Sequence, residues 1–209
     1  FGTVGGGKIE ARCILESLRI LRSSAIRNEL HTWNLQRDIG MTCGGEVTYL
    51  FERHSPSAWR IVVFGAGHVA QAVARVLDTL ACRAVFVDNR PEWIAKLPPG
   101  PKVSSVLVAE PVDYVAKLRG DEFCVVTRGH ASDMPVLKAI FSRPEFPPYV
   151  GCMGSDVKAL KMRAELKTFG EGRPEMETRL AAFRCPIGLE FGSNDPAEIA
   201  LSVVSELVQ

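Results

Sequence analysis

The sequence lacks any long hydrophobic run. Its purest apolar stretches are only a few residues long, such as Ile61–Phe64, whereas a membrane-spanning helix needs about 20. It also lacks an excess of either charge, since 25 Lys and Arg residues stand against 24 Asp and Glu residues. That balance argues against a general nucleic-acid binder and against a disordered acidic segment. We therefore expect a globular protein with no nucleic-acid or membrane partner.

Cysteine spacing excludes a zinc ribbon. None of the six cysteines forms a C-x-x-C pair, and all are scattered among apolar and glycine-rich segments. That distribution suits free thiols in a reducing compartment, so we expect a cytoplasmic protein. Tyrosine occurs only three times and never in a Tyr-x-x-x-Lys pair. The sequence therefore has no recognisable catalytic group that would indicate an oxidoreductase. The chain begins at Phe1 rather than Met, from which we expect that residues precede it.

A chain of 209 residues has room for one or two domains. Apolar residues recur at helical spacing over Ile9–Leu21, and Glu46–Glu52 alternates as a strand does. His54–Ser57 has the composition of a linker. We therefore predict a small N-terminal α+β domain over residues 1–55, incomplete at its N-terminus, and a second domain over residues 56–209.

The second domain alternates predicted strands with predicted helices, and this order is typical of a doubly wound parallel sheet of the Rossmann type. The predicted strands are Arg60–Phe64, Arg83–Val87, Val103–Val108, Phe123–Thr127 and Tyr149–Cys152. The predicted helices are His68–Leu80, a short one from Pro111, Met134–Phe141, Asp156–Phe169 and one that begins at Asp195 and runs to Leu207.

A glycine motif links the first strand and helix of this domain. Gly65, Gly67 and the following residues match G-x-G-x-x-G/A between a strand and a helix, where the backbone can approach a phosphate at a helix N-terminus. Asp88 lies 88 − 67 = 21 residues after Gly67, at the end of the next strand. We expect its carboxylate at the surface, accepting ribose hydroxyls. Arg90 could face a phosphate, and His68 could lie beside a bound anion or be a solvated first-turn side chain.

Two further strand-to-helix turns are candidates for the same site. His130 and Asp133 follow a strand at the carboxyl edge of the sheet, where ligands of such folds bind. They could orient each other, or Asp133 could cap the next helix. At the other turn, Ser155 and the helix N-terminus could hold a second anion with Lys158 one turn away, or the segment could be an ordinary tight turn.

Cys43 lies beside two glycines in the first domain. Such an open surrounding favours a reactive thiolate, although a small buried cysteine at the start of a strand is the commoner case.

The motifs and further stretches along almost the whole chain resemble the xanthine dehydrogenase accessory protein family, XdhC and its CoxI relatives. In chain order the similar stretches are GTVGGGKIE, GMTCGGEVTYLFE, VVFGAGHVAQAVA, VDNRPEW, TRGHASDMPVL, YVGCMGSDVKALKMRAELKTFG, CPIGLEFG and DPAEIALSVVSEL. The histidine inside the glycine loop and the G-H-x-x-D-x-x-x-L element are specific to this resemblance and are not general Rossmann features.

The resemblance implies a non-catalytic accessory protein that binds the molybdenum cofactor, molybdopterin with its metal. It further implies that the protein protects the cofactor, supports its sulfuration with a cysteine desulfurase and passes it to xanthine dehydrogenase or a related molybdenum hydroxylase. The cofactor-binding residues implied by matching motifs are Gly65, Gly67, His68, Asp88, Arg90, Gly129, His130, Asp133, Gly154, Ser155 and Lys158. Cys43 matches the cysteine of a CGG element and is the candidate to contact molybdenum or relay sulfur, since this metal favours soft ligands.

Two other functions remain open from the residues alone. The glycine loop and Asp88 equally suit an oxidoreductase that binds NAD(P) or another dinucleotide, and a nucleotide-sensing subunit without catalysis. For any of these we expect a homodimer, the commonest soluble oligomer.

Overall fold

A computed structural model describes residues 2–22, 28–42, 44–53 and 59–209 of the chain. The contacts separate into two units, Phe1–Ser55 and Pro56–Gln209. The predicted linker around His54–Ser57 and the predicted site residue Cys43 lie outside the described residues. Within the described ranges, no helix combines the length and apolarity needed to cross a membrane.

The larger unit alternates strands with helices. Its strands are β3 (Trp59–Phe64), β4 (Cys82–Asp88), β5 (Val103–Leu107), β6 (Glu122–Val126), β7 (Tyr149–Cys152) and β8 (Phe183–Arg184). Its helices are α2 (His68–Thr79), α3 (Pro91–Ile94), α4 (His130–Phe141), α5 (Asp156–Phe169), α6 (Met176–Ala182) and α7 (Pro196–Val208), with a 3-10 helix over Pro111–Lys117.

These strands form one parallel sheet in the order β5-β4-β3-β6-β7-β8. The strand order reverses between β3 and β6, so the connections after these two strands leave in opposite directions. A crevice therefore opens at their carboxyl ends, which is where doubly wound folds bind ligands. The prediction of a Rossmann-like α/β domain is confirmed.

Strand β3 shows why this sheet is covered on both faces. Ile61, Val62, Val63 and Phe64 are all buried. Ile61 and Val63 belong to an apolar cluster with α2 and α7, while Val62 and Phe64 belong to a second cluster with α4, α5 and the 3-10 helix. Successive side chains of a strand point to opposite faces, so a continuous apolar run needs helices on both sides.

The smaller unit is an antiparallel hairpin with one helix, as predicted for an α+β domain. Its elements are α1 (Gly7–Arg22), β1 (Asn28–Asn34) and β2 (Glu46–Glu52). Ile9 and Cys13 of the helix pack with Trp33 of the hairpin in a small buried cluster.

Some boundaries differ from those predicted. Helix α4 begins at His130 rather than Met134, because Gly129 ends the preceding loop and Pro135 is accommodated inside the helix. Strands β1 and β8 and helices α3 and α6 were not predicted. Strand β8 has only two residues and obtains its register from pairing with β7, which no local pattern reveals.

Candidate functional site

The glycine loop connects β3 to α2 at the carboxyl edge of the sheet. Gly65 has φ +129°, a conformation that side chains rarely adopt, and a Cβ there would overlap the Thr127 hydroxyl. The Gly65 N–H donates to the Val87 carbonyl at 2.8 Å. The backbone of the loop therefore requires glycine at position 65 and is tied to β4.

Gly67 is glycine for a different reason. It is the N-cap of α2 with φ −69°, which any residue can adopt, and no side chain caps the helix. A Cβ at this position would meet nothing within 4 Å. Neither the backbone nor a neighbouring side chain requires a glycine here, so its open face leaves room for close approach of a ligand to the helix N-terminus.

Gly129 repeats this arrangement at the N-terminus of α4. It is the N-cap in extended backbone, with φ −178° and no side-chain cap, and a Cβ would again meet nothing within 4 Å. Two uncapped helix N-termini therefore open at the same edge of the sheet, on either side of the topological switch. Their free N–H groups and helix dipoles favour an anion.

Between these two helices lies a pocket of about 370 Å³, which we call the glycine-loop pocket. Its lining residues are Gly67, His68, Arg90, Trp93, Thr127, Arg128, Gly129 and Ser132. A larger groove of about 720 Å³ lies at the turn between α5 and α6, but it contains none of the predicted site residues. We place the candidate site in the glycine-loop pocket, where both uncapped helices and two arginines meet.

Asp88 lies beneath this pocket, and its carboxylate is completely buried. The expectation that it would lie at the surface is therefore wrong. It accepts hydrogen bonds from the Ala66 N–H at 2.8 Å and the Arg90 N–H at 3.0 Å. The Arg90 guanidinium adds two more, from Nε at 2.9 Å and Nη2 at 2.7 Å. The carboxylate tolerates burial because it finds all these donors at the end of its strand.

Burial alone would raise the pKa of Asp88. The hydrogen bonds from Arg90 and the Ala66 N–H outweigh burial, so the pKa lies below its ordinary value. The same pairing raises the pKa of Arg90. Both groups therefore carry their charges at neutral pH, and a guanidinium is held at the pocket wall.

Arg128 brings a second guanidinium to the pocket. Its Nη1 donates to Asn89 Oδ1 at 2.8 Å and lies 3.8 Å from Asp88 Oδ1. Arg128 was not predicted as a site residue, although it lies two residues after β6 at the carboxyl edge of the sheet. That position was the available signal.

His68 is exposed at the start of α2, and its ring contacts Trp93 edge to face at 4.8 Å between centroids. The Arg90 guanidinium lies 5.2 Å from the centre of the same Trp93 ring. Trp93 therefore supports both side chains at the mouth of the pocket, and it was not among the predicted site residues. The available signal was its place at the end of the stretch VDNRPEW, which also contains Asp88 and Arg90.

His130 and Asp133 do not orient each other. His130 Nε2 lies 2.9 Å from Glu165 Oε1 on α5. Asp133 is buried and accepts from the Arg128 N–H at 3.2 Å and from Lys158 Nζ at 2.7 Å. Since α4 begins at His130 with Gly129 as its N-cap, Asp133 is inside the helix rather than its cap. Both interpretations drawn from the sequence are wrong, and Asp133 instead fixes the backbone from which Arg128 projects.

The turn before α5 is largely satisfied by its own side chains. Ser155 is the N-cap and accepts from the Lys158 N–H at 3.3 Å. Lys158 Nζ donates to the Met153 carbonyl at 2.6 Å as well as to Asp133, and its side chain lies where a Cβ of Gly154 would be. These contacts show that Gly154, Ser155 and Lys158 join α4 to α5. That they bind a cofactor stays a prediction.

Of the predicted site residues, Gly67, His68, Arg90 and Gly129 line one pocket. Gly65 and Asp88 hold its floor, and His130, Asp133, Gly154, Ser155 and Lys158 form the neighbouring group between α4 and α5. Across the described ranges, no three His, Cys, Asp or Glu side chains gather as metal ligands would.

Comparison with known proteins points to one family. A family profile described as the XdhC Rossmann domain matches residues 61–207. The chain is 28% identical to YqeB, an uncharacterized protein of Escherichia coli strain K12, over 100% of this chain and 38% of that protein. It is 25% identical to a probable xanthine dehydrogenase subunit of Bacillus subtilis strain 168, over 78% of this chain and 46% of that protein. The chain thus spans less than half the length of these two relatives.

A solved structure shares the fold. The crystal structure of a xanthine dehydrogenase from Bacillus halodurans aligns with a TM-score of 0.57 and 16% identity, covering 100% of this chain and 82% of that one. At that identity the similarity speaks for the fold alone.

Proposed function

This chain belongs to the XdhC Rossmann domain family, and from that membership we propose that it is an accessory protein in the maturation of xanthine dehydrogenase or a related molybdenum hydroxylase. In this proposal it binds the molybdenum cofactor in the glycine-loop pocket, protects it and passes it to the client enzyme. The cofactor is cargo, and the chain itself catalyses no turnover of the client's substrate.

The observation that carries this proposal is the pair Gly67 and Gly129. Each stands at an uncapped helix N-terminus, each could be any residue by its backbone angles, and each has an open Cβ direction. A phosphate-bearing ligand accounts for both glycines at once, because its oxygens must come close to the backbone N–H groups. Molybdopterin carries such a phosphate.

The remaining lining residues fit the same cargo. Arg90 and Arg128 would neutralise the phosphate, and His68 and Trp93 would lie beside the part of the ligand at the mouth of the pocket. The bound cofactor would bring a molybdenum ion held by the two sulfurs of its dithiolene. Cys43 is the proposed thiol for contact with that metal or for relay of sulfur from a cysteine desulfurase.

Retention of molybdopterin tests the proposal. Purified protein is incubated with cofactor released from a molybdenum hydroxylase, free and bound forms are separated by ultrafiltration, and the retained pterin is measured by fluorescence. We expect retention by the wild type and its loss in Gly67→Val, whose side chain would fill the space open at position 67. Ala181→Val adds bulk at an exposed position of α6 outside the pocket and should retain the pterin normally.

Cys43→Ser separates binding from sulfur transfer. Unchanged retention together with unchanged support of cofactor sulfuration would remove Cys43 from the proposal. Absence of pterin retention in the wild type, together with turnover of a nicotinamide cofactor, would instead favour an NAD(P)-dependent oxidoreductase. The cysteine desulfurase as partner, the homodimer and the cytoplasmic location stay predictions. They can be tested by pull-down, by light scattering and by cell fractionation, respectively.

A further inference from the structure

Asp88 occupies the position at which many Rossmann folds bind the ribose of a dinucleotide, but its carboxylate has no free acceptor. A carboxylate offers about four lone-pair sites. The Ala66 N–H and the Arg90 Nη2 occupy Oδ2, while the Arg90 N–H and Nε occupy Oδ1. With the side chain entirely buried, a ribose diol could bind only by displacing these bonds.

The two arginines, by contrast, keep donors for a ligand. A guanidinium has five N–H groups, of which Arg90 uses two for Asp88 and Arg128 uses one for Asn89. Both are partly exposed and both line the glycine-loop pocket. Asp88 thus fixes the Arg90 guanidinium in one plane and attracts Arg128 from 3.8 Å.

The charged side chains that line the pocket are consequently all donors. Its lining residues include two arginines and the N-terminal residues of two helices, and no carboxylate. The hydroxyls of Thr127 and Ser132 donate to the carbonyls of Phe64 and Gly129 at 3.3 and 3.0 Å, so the donors left for a ligand are the guanidinium and helix N–H groups. Two guanidinium charges against one buried carboxylate leave a net positive charge, to which the helix dipoles add. A phosphate monoester, with three terminal oxygens and up to two negative charges, complements this set.

We propose that Asp88 is a positioning residue for Arg90 and Arg128, and that the pocket therefore selects a ligand ending in a phosphate monoester over one that presents a ribose diol. This rests on the proposed function, in which the terminal phosphate of molybdopterin is that monoester. Beyond the proposed function, we assign which end of the cargo the pocket holds and which residue sets the preference for a phosphate.

NAD⁺ and NADP⁺ are suitable probes, because they differ by one phosphate monoester on a ribose. Their Kd values are measured on the whole chain by isothermal titration calorimetry at low ionic strength. We expect NADP⁺ to bind about tenfold more tightly than NAD⁺, the smaller end of what a hydrogen bond to a charged group contributes. Arg128→Gln should weaken NADP⁺ about tenfold and leave NAD⁺ within about twofold. Arg75→Gln, exposed on α2 outside the pocket, should change neither.

Asp88→Asn distinguishes positioning from direct contact. Removing a negative charge would by itself strengthen the binding of any anion. A fall in NADP⁺ affinity toward that of NAD⁺ therefore reports that the arginines have lost their position. If Asp88 instead accepted the ribose hydroxyls, the substitution would weaken NAD⁺ and leave NADP⁺ unchanged or tighter, because NADP⁺ carries a phosphate where the 2′-hydroxyl would be. That result overturns the inference, as does a wild-type protein that binds NADP⁺ no more tightly than NAD⁺.

The pterin retention assay keeps the two proposals apart. A wild-type protein that shows no preference for NADP⁺ but still retains the pterin refutes the role of Asp88 and leaves the accessory function standing. A clear phosphate preference without pterin retention refutes the cargo and supports the role of Asp88.

Discussion

Replacing Asp88 with alanine should destabilise the larger unit. If this carboxylate ended its strand at the surface, as expected from the sequence, its removal would have little effect on stability. The substitution leaves the buried Ala66 N–H without an acceptor, which costs about 1–3 kcal/mol. It also removes the partner of Arg90. Breaking a buried ion pair costs about 3–5 kcal/mol, but the Arg90 side chain is 31% exposed and can regain water. We therefore expect a total loss of about 3 kcal/mol.

Urea unfolding followed by circular dichroism measures this loss as a lower midpoint at unchanged slope. Asp121→Ala, in the exposed turn before β6, serves as the matched control and should stay within about 0.5 kcal/mol of the wild type. Arg90→Ala and the double variant complete a cycle, whose coupling free energy should be about 1–3 kcal/mol. A loss below about 1 kcal/mol for Asp88→Ala would refute the reasoning.

The pH dependence gives an independent check on the same side chain. Because its pKa is lower in the folded protein than in the unfolded chain, Asp88 contributes its full stability above the unfolded pKa. The contribution is lost as the pH falls through the folded pKa. The difference in unfolding free energy between wild type and Asp88→Ala should therefore be constant near neutrality and shrink below about pH 4. A difference that is the same at acidic and neutral pH would contradict the ion-pair account.

Three further predictions concern other parts of the larger unit. Gly65→Ala should lower the unfolding free energy by about 2 kcal/mol, whereas Gly67→Ala should change it by less than about 0.5 kcal/mol, because only Gly65 has a left-handed φ and a crowded Cβ. Both are measured by urea unfolding, and equal losses would contradict this distinction. Glu122 is buried and accepts from Arg60 Nε at 2.9 Å, so Glu122→Ala should cost about 2–3 kcal/mol in the same assay. Burial raises the pKa of Cys124 to about 12, so peptide mapping after iodoacetamide treatment at about pH 8 should find it unmodified until the protein is unfolded.

The predictions that succeeded rest on local and periodic features. The run Ile61–Phe64, the glycines after it and the alternation of strands and helices are enough to predict a Rossmann-like sheet. The same features placed Gly67, His68, Arg90 and Gly129 at one edge, and the structure brings these residues to one pocket. The predicted start of α4 at Met134 was wrong, because Gly129 and His130 compete with Pro135 as signals for where the helix begins.

The failures concern what each charged side chain binds. Spacing located Asp88 correctly at the end of β4, but not its burial, because its partners come from the glycine loop and from a neighbouring turn. Glu165 and Lys158 on α5 pair with His130 and Asp133 on α4, and no spacing in the sequence connects these two helices.

The sequence by itself determined that this chain has a doubly wound parallel sheet and a glycine loop at its carboxyl edge. Both depend on the order of apolar and glycine residues along the chain, which is a property of neighbours in sequence. Only the tertiary structure decided that Asp88 faces inward, that Arg128 joins Arg90 at the pocket, and that Asp133 supports the loop before α4. These roles depend on which donors and acceptors meet when separate strands and helices pack, and a buried charge is stable only where such partners are present.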